Sequence, residues 1–296
     1  MNKAMRILDT HHHLWDLSEN SYPWLTRGNE PKPYGDYTAI RKNYLIEDYL
    51  RDVDQSPVIR SVHLGAGNDF LAEATWLQAI ADDSARSRGF PHGIVPKSNF
   101  LSTELERHLE TMCQHRNMRG VRQIPSGAVT AGHPDIMSAP NWQHGVALLK
   151  KFGLSLDLQV HPVQLELLLP ALKANPDTEL IIDHCGMINY KDPSLLEVWR
   201  RGIRALAPCP NVRMKISAFM IYDLAFTART ITPFVHEMVE VFGVERCFFG
   251  SNYPVDRLSC SFPSLWEKYA AAVATFTPDE QDILFYRNAA TTYRIA

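Results

Sequence analysis

The sequence predicts an α/β fold closed as a (β/α)8 TIM barrel, and three observations carry that expectation. Eight short apolar runs alternate with segments whose apolar residues recur at helical spacing, and strands that alternate with helices build parallel sheets. The 296 residues match α/β barrels that fold as one unit. Histidines close several of the runs, and a closed barrel brings the ends of strands one, five and six to one mouth more directly than an open sheet does. Periodicity alone does not separate the two architectures; the histidine placement does. One barrel domain is expected over residues 1–296.

In chain order the expected strands are 6–10, 61–64, 93–96, 120–123, 154–160, 180–183, 212–216 and 247–250. Helical spacing marks 71–86, 104–116, 162–174, 194–206 and 233–242. Residues 18–37 interrupt the alternation. They are rich in Pro, Gly and Asn, carry Tyr22, Trp24 and Tyr34, and have no period, so they read as a long loop. Ordered loops of this length are often functional. Tyr22 and Trp24 are therefore candidate substrate-binding walls.

Composition excludes several functions. A net charge of −3 provides no basic field to gather nucleic acid. No apolar run is long enough to span a membrane, and residues 1–8 lack the apolar core of a signal peptide. Cys113, Cys185, Cys209, Cys247 and Cys260 are odd in number and contain no C-x-x-C pair, which suits free thiols in a reducing compartment. The expectation is a soluble, cytoplasmic protein acting on a small molecule, with a homo-oligomer left open.

The first strand runs into Asp9-Thr10-His11-His12-His13. Side chains alternate along a strand, so His11 and His13 share one face and His12 points opposite. Two imidazoles at that spacing can converge on one ion or one substrate oxygen. Asp9 lies on their face one layer deeper, where it could orient them. The fifth strand leads into His161-Pro162 and the sixth into Asp183-His184-Cys185-Gly186. Each histidine alone reads as structural; gathered at strand ends they read as a site. Arg122, ahead of Arg119, could bind a substrate carboxylate through two parallel hydrogen bonds. Lys215 and Ser217 alternate inward together on the seventh strand. His63 and His92 read as structural.

Six stretches resemble one family: DTHHHLWD at 9–16, EATWL at 73–77, RGVRQ at 119–123, IIDHCG at 181–186, FFGSNYPVD at 248–256 and RNAATTYRI at 287–295. The chain is similar to the amidohydrolase superfamily over nearly its whole length. It most resembles the amidohydrolase-2 branch, which includes lactonases of sugar acids and of 2-pyrone-4,6-dicarboxylate. The resemblance implies a (β/α)8 hydrolase that opens a lactone of a small, acidic or sugar-derived substrate. It implies one divalent metal, zinc first, on His11, His13 and His184, with His161 and Arg122 facing the substrate. One departure stands out. The family places an aspartate after strand eight, as metal ligand and general base, where this chain has Asn252. An amide does not accept a proton at neutral pH and is a poor zinc ligand. The nearest carboxylate, Asp256, is expected as the base, with a histidine as the alternative, so the expected catalytic set is Asp256, His184 and Asn252. Metal-free catalysis is the alternative mechanism, with the imidazoles donating hydrogen bonds to the carbonyl oxygen. Two other readings stay open: a non-oxidative decarboxylase of the same branch, and a catalytically inactive barrel that binds a ligand.

Overall fold

A computed structural model describes residues 5–27, 32–133 and 135–296. Eight parallel strands form in the expected places: β1 Ile7–His12, β2 Val58–Leu64, β3 Gly93–Val95, β4 Gly120–Gln123, β5 Ser155–Leu158, β6 Leu180–Ile182, β7 Val212–Ile216 and β8 Cys247–Phe249. They pair in sequence order as β1-β2-β3 and β4-β5-β6-β7-β8. Two seams join these arcs. Bridges Ile94↔Met118 and Lys97↔Arg122 tie β3 to β4, and His12↔Tyr253 ties β1 to the segment after β8. Thr10 Oγ1 donates to Phe249 O at 2.8 Å and the Asn252 N–H to His11 O at 2.6 Å, which completes the (β/α)8 barrel.

Both faces of the strands are covered. One face packs against helices in a core that includes the fully buried Trp15, Trp142, Trp199 and Trp266. The other face fills the barrel. Leu8, Val62, Val95, Ile181 and Phe248 form a separate apolar cluster with Ala289, Tyr293 and Ile295 from the C-terminal segment. An added Cβ on Gly93, at the start of β3, would lie 3.3 Å from Ile295 Cδ1. The C-terminal segment thus plugs the end of the barrel opposite the histidines.

Helices begin where short polar side chains accept orphan N–H groups. Asp69 caps Phe70–Asp82, Asp192 caps Pro193–Leu206 and Thr227 caps Ala228–Phe242. The last of these starts before the expected 233, because Thr227 nucleates it and Pro233 is carried inside. The expected helix 162–174 is two 3-10 turns, Pro162–Gln164 and Glu166–Leu168, followed by Leu169–Ala174. Pro162 and Pro170 have no N–H to donate, which breaks the run. In the loop 18–37, Pro23–Thr26 is one helical turn; residues 28–31 lie outside the described residues. Among the described residues no helix is long and apolar enough to cross a membrane.

Candidate active site

The C-terminal ends of β1 and β6 bring three imidazoles together. The ring centroids of His11 and His184 are 4.4 Å apart, and those of His11 and His13 are 5.0 Å apart. All three side chains are buried. Burial drives their basicity down, well below the ordinary range for His11 and His13 and to about 3 for His184. They are neutral at pH 7.

Hydrogen bonds fix their tautomers. His13 Nδ1 lies 2.8 Å from Leu64 O, which only accepts, so Nδ1 carries the proton and Nε2 keeps its lone pair. His184 Nδ1 lies 2.9 Å from Ser217 Oγ, and its Nε2 lies 3.5 Å from Arg122 Nη2, which only donates. His184 Nε2 is therefore also an acceptor. Both ring nitrogens of His11 are buried without a hydrogen-bond partner among the described residues; Nδ1 stands 3.4 Å from Asp183 Oδ1.

His12 turns to the opposite face, as expected, where it stacks on Tyr49 at 3.9 Å and pairs with Ser61 Oγ at 2.9 Å. Asp9 does not touch the imidazole rings. Its carboxylate accepts from Ser251 N–H at 2.8 Å, Ser251 Oγ at 2.7 Å and Tyr49 OH at 2.9 Å. It clasps the end of β8 to β1 and so positions Asn252 instead.

Asp183 is the site residue that the sequence reading missed, although it stands beside His184. It is fully buried, with Lys215 Nζ 2.9 Å from Oδ1 and Arg122 Nε 3.3 Å from Oδ2. Burial would push its pKa up; Lys215, His11 and Arg122 outweigh that and hold it well below the usual carboxylate range. Lys215 also pairs with Asp157 Oδ1 at 2.5 Å, and Asp157 accepts from Tyr293 OH at 2.6 Å. A layer of buried charge therefore lies between the apolar plug and the imidazoles. Lys215 and Ser217 do face inward together, as the alternation required.

The chain bends unusually around this cluster. His184, Cys185 and Met187, with φ of 56, 55 and 54°, make a left-handed turn around Gly186 after β6, and Ala218 and Asn252 are left-handed after β7 and β8. Such conformations cost about 1–3 kcal/mol each and collect at functional sites.

Above the imidazoles opens a cavity of about 330 Å³, lined by His13, Trp24, Tyr34, Lys97, Arg122, Gln159, His184 and Asn252 among others. Trp24 reaches it and donates from Nε1 to Ala66 O at 3.1 Å. Tyr22 does not line it; it is buried in the core beside that loop. His161 does not line it either. β5 stops at Leu158, so the backbone turns before His161, which precedes the Pro162 turn and gives its N–H to Gln164 Oε1 at 3.0 Å. Gln159 takes the expected place of His161 and accepts from Arg122 Nη2 at 2.9 Å. Asp256 lies behind Asn252, with no exposed surface, and Asn252 Nδ2 donates to its Oδ2 at 2.6 Å. Burial raises Asp256 well above an ordinary carboxyl, against the Asn252 hydrogen bond.

A barrel with neutral histidines and an ionised aspartate at the C-terminal ends of its strands defines a hydrolase of the amidohydrolase type. The Amidohydrolase family model matches residues 8–295, and the chain belongs to that family. The protein y4mH of Sinorhizobium fredii is 40% identical, covering 98% of each chain. An L-fucono-1,5-lactonase of Burkholderia multivorans is 27% identical, over 99% of this chain and 97% of its own. Among solved structures, an amidohydrolase of Burkholderia multivorans with zinc bound superposes with a TM-score of 0.82 at 21% identity, over 99% of this chain and 100% of that one.

The residues present fit a divalent ion. His11, Asp183 and His184 each offer a donor atom, and those atoms lie within 4.8 Å of one another. His13 adds an imidazole whose Nε2 is free because Nδ1 is bound to a carbonyl, the arrangement that metal-ligating histidines show. His13 stands just outside the trio, and Asp183 enters where only histidines were expected.

Proposed function

We propose that the protein is a lactonase, which adds water to a small, anionic or sugar-derived cyclic ester. The observation that carries this reading is the convergence of His13 and His184, both presenting Nε2 lone pairs, on one cavity whose wall holds Arg122. The lactonase name of a relative 27% identical over nearly the whole chain supports it.

His11, Asp183 and His184 would hold a divalent ion, zinc first, which when bound polarises a carbonyl oxygen and acidifies water. The protein's own groups do the rest. His13 Nε2, outside the trio, takes a proton from the attacking water as the new C–O bond forms, while its Nδ1–H stays on Leu64 O. The same proton passes to the ring oxygen as the ester C–O bond breaks, leaving a hydroxy acid. Arg122 and Asn252 line the cavity, where their remaining N–H groups can stabilise the carbonyl oxygen as it becomes negative. His13 Nε2 carries no proton before the attack, so it does not donate to the carbonyl. Asp256 is fully buried behind Asn252, and burial raises its pKa, so we assign it to holding Asn252 in place instead of to the base, and we take the histidine alternative. The five cysteines remain unpaired, as a reducing compartment would keep them, and we place the protein in the cytoplasm.

The test is a panel of lactones assayed by proton release, with metal analysis and with turnover before and after chelation. At least one lactone should open to its hydroxy acid, and His13→Gln should lower kcat by about 10²–10⁴. A flat response across the panel, or release of carbon dioxide from an aromatic acid, refutes the reading.

A further inference from the structure

We propose that Lys97 anchors the substrate, and that the substrate is a lactone carrying a carboxylate set away from its reacting carbonyl. This rests on the lactonase reading and adds the anchor and the substrate class to it.

The argument begins with charge. Among the described residues lining the cavity the cations are Lys32, which has an interaction of its own, Lys97 and Arg122, and there is no carboxylate. Arg122, the expected anchor, is already engaged at every nitrogen. Nη1 donates to Gly65 O at 3.0 Å, Nη2 to Gln159 Oε1 at 2.9 Å, and Nε faces Asp183 Oδ2 at 3.3 Å. It belongs to the floor of the site. Lys97 is different. Its ammonium has one long contact, 3.4 Å to Asn68 Oδ1, and forms no ion pair among the described residues. Glu73 attracts it from a distance but forms no ion pair with it. Glu73 Oε1 accepts instead from the N–H groups of Ala66, at 3.0 Å, and Gly67, at 2.8 Å.

Position then says what Lys97 is for. Its backbone bridges to Arg122 across the β3–β4 seam, so two positive side chains stand side by side at the cavity wall. Like charges repel, and partial burial makes the Lys97 ammonium harder to hold; burial lowers its pKa, with Glu73 opposing. An anion seated there relieves both terms. The imidazoles come from β1 and β6, so a carboxylate at Lys97 would leave the ester carbonyl to reach His13 and His184.

Wild type, Lys97→Met and Lys97→Arg would be compared on a γ-lactone bearing a ring carboxylate and on the same ring bearing a hydroxymethyl group. A charge-assisted contact of this kind changes the acid-over-neutral ratio of kcat/KM by about tenfold to a hundredfold. Lys97→Met should lose that ratio, mainly through KM, and Lys97→Arg should recover most of it. A ratio that Lys97→Met leaves unaltered overturns the proposal. Calorimetry with tricarballylate reads the anchor without turnover, and Lys97→Met should weaken its binding at least tenfold. If wild type binds tricarballylate through Lys97 but opens neither lactone, the lactonase reading falls and the anchor stands. If both lactones open equally well and tricarballylate binds both proteins alike, the anchor falls and the lactonase reading stands.

Discussion

Lys215→Met tests the buried charge layer most sharply. Methionine keeps nearly the length and volume of lysine, so the packing term is small and the change is one of charge. The ammonium lies 2.5 Å from Asp157 and 2.9 Å from Asp183, and all three side chains are fully buried. Without it, two carboxyl groups face each other with no cation between them in the barrel interior. Breaking a buried ion pair from one side costs about 3–5 kcal/mol. With a urea slope of about 3 kcal/mol/M for a chain of this size, the midpoint should fall by about 1 M or slightly more. The assay is equilibrium urea unfolding followed by circular dichroism and by the fluorescence of the four fully buried tryptophans. Adding Asp157→Asn to Lys215→Met removes one of the stranded charges while keeping an acceptor for Tyr293 OH, and should recover part of the loss. A midpoint within about 0.2 M of wild type, roughly 0.6 kcal/mol, would refute the reasoning. A double variant no more stable than Lys215→Met would show that the loss was one of packing.

Three further outcomes are expected. Burial, with Arg60 assisting, lowers His92 from 6.5 to about 4. Its contribution to stability is thus present above pH 6.5 and is lost as pH falls toward 4, amounting to about 1–2 kcal/mol by pH 5. Unfolding midpoints at pH 7 and 5 should differ less in His92→Gln, and an equal difference would discard the assignment. Gly250→Ala would place a Cβ 2.7 Å from His11 Cβ and 3.0 Å from His11 N. Overpacking of this kind costs about 1–3 kcal/mol, so the melting temperature should drop by several degrees and turnover with it; an unchanged melting curve would contradict the close approach of β8 to β1. Asn252→Asp adds a carboxylate to the cavity that His184 also lines, 2.6 Å from Asp256, whose pKa burial raises. Zinc affinity, read by competition with a chromophoric chelator, should rise at least about tenfold, and an affinity no greater than that of wild type would count against the trio.

The fold was legible in the sequence because short strand segments alternate with helical spacing, even where Arg122 in β4 or Arg213 and Lys215 in β7 interrupt the apolar run. β4 and β7 keep the boundaries expected of them. The limits appear where local rules meet tertiary geometry. By alternation His161 shares a face with Asp157 and Gln159, but alternation holds only while the strand lasts, and β5 ends at Leu158. Asp183 carries no signal of its own in the sequence beyond standing next to His184, because its role comes from Lys215 and Arg122 on other strands. Asp256 is the nearest carboxylate in sequence, but distance along the chain says nothing about the layer of protein between it and the cavity. Lys97 could have been noticed as a lone cation at the end of the third strand, yet its significance depends on what Arg122 is already bound to.

The Asp9 clasp has a consequence for the life of the molecule. The first strand made during synthesis waits for the last, because Ser251 and Asn252 reach their places only when the final β/α unit docks onto Asp9 and His11. Catalytic competence therefore cannot precede ring closure. In refolding, recovery of turnover should lag behind tryptophan burial and coincide with the final docking event, so the enzyme's own activity would serve as a clock for its last step.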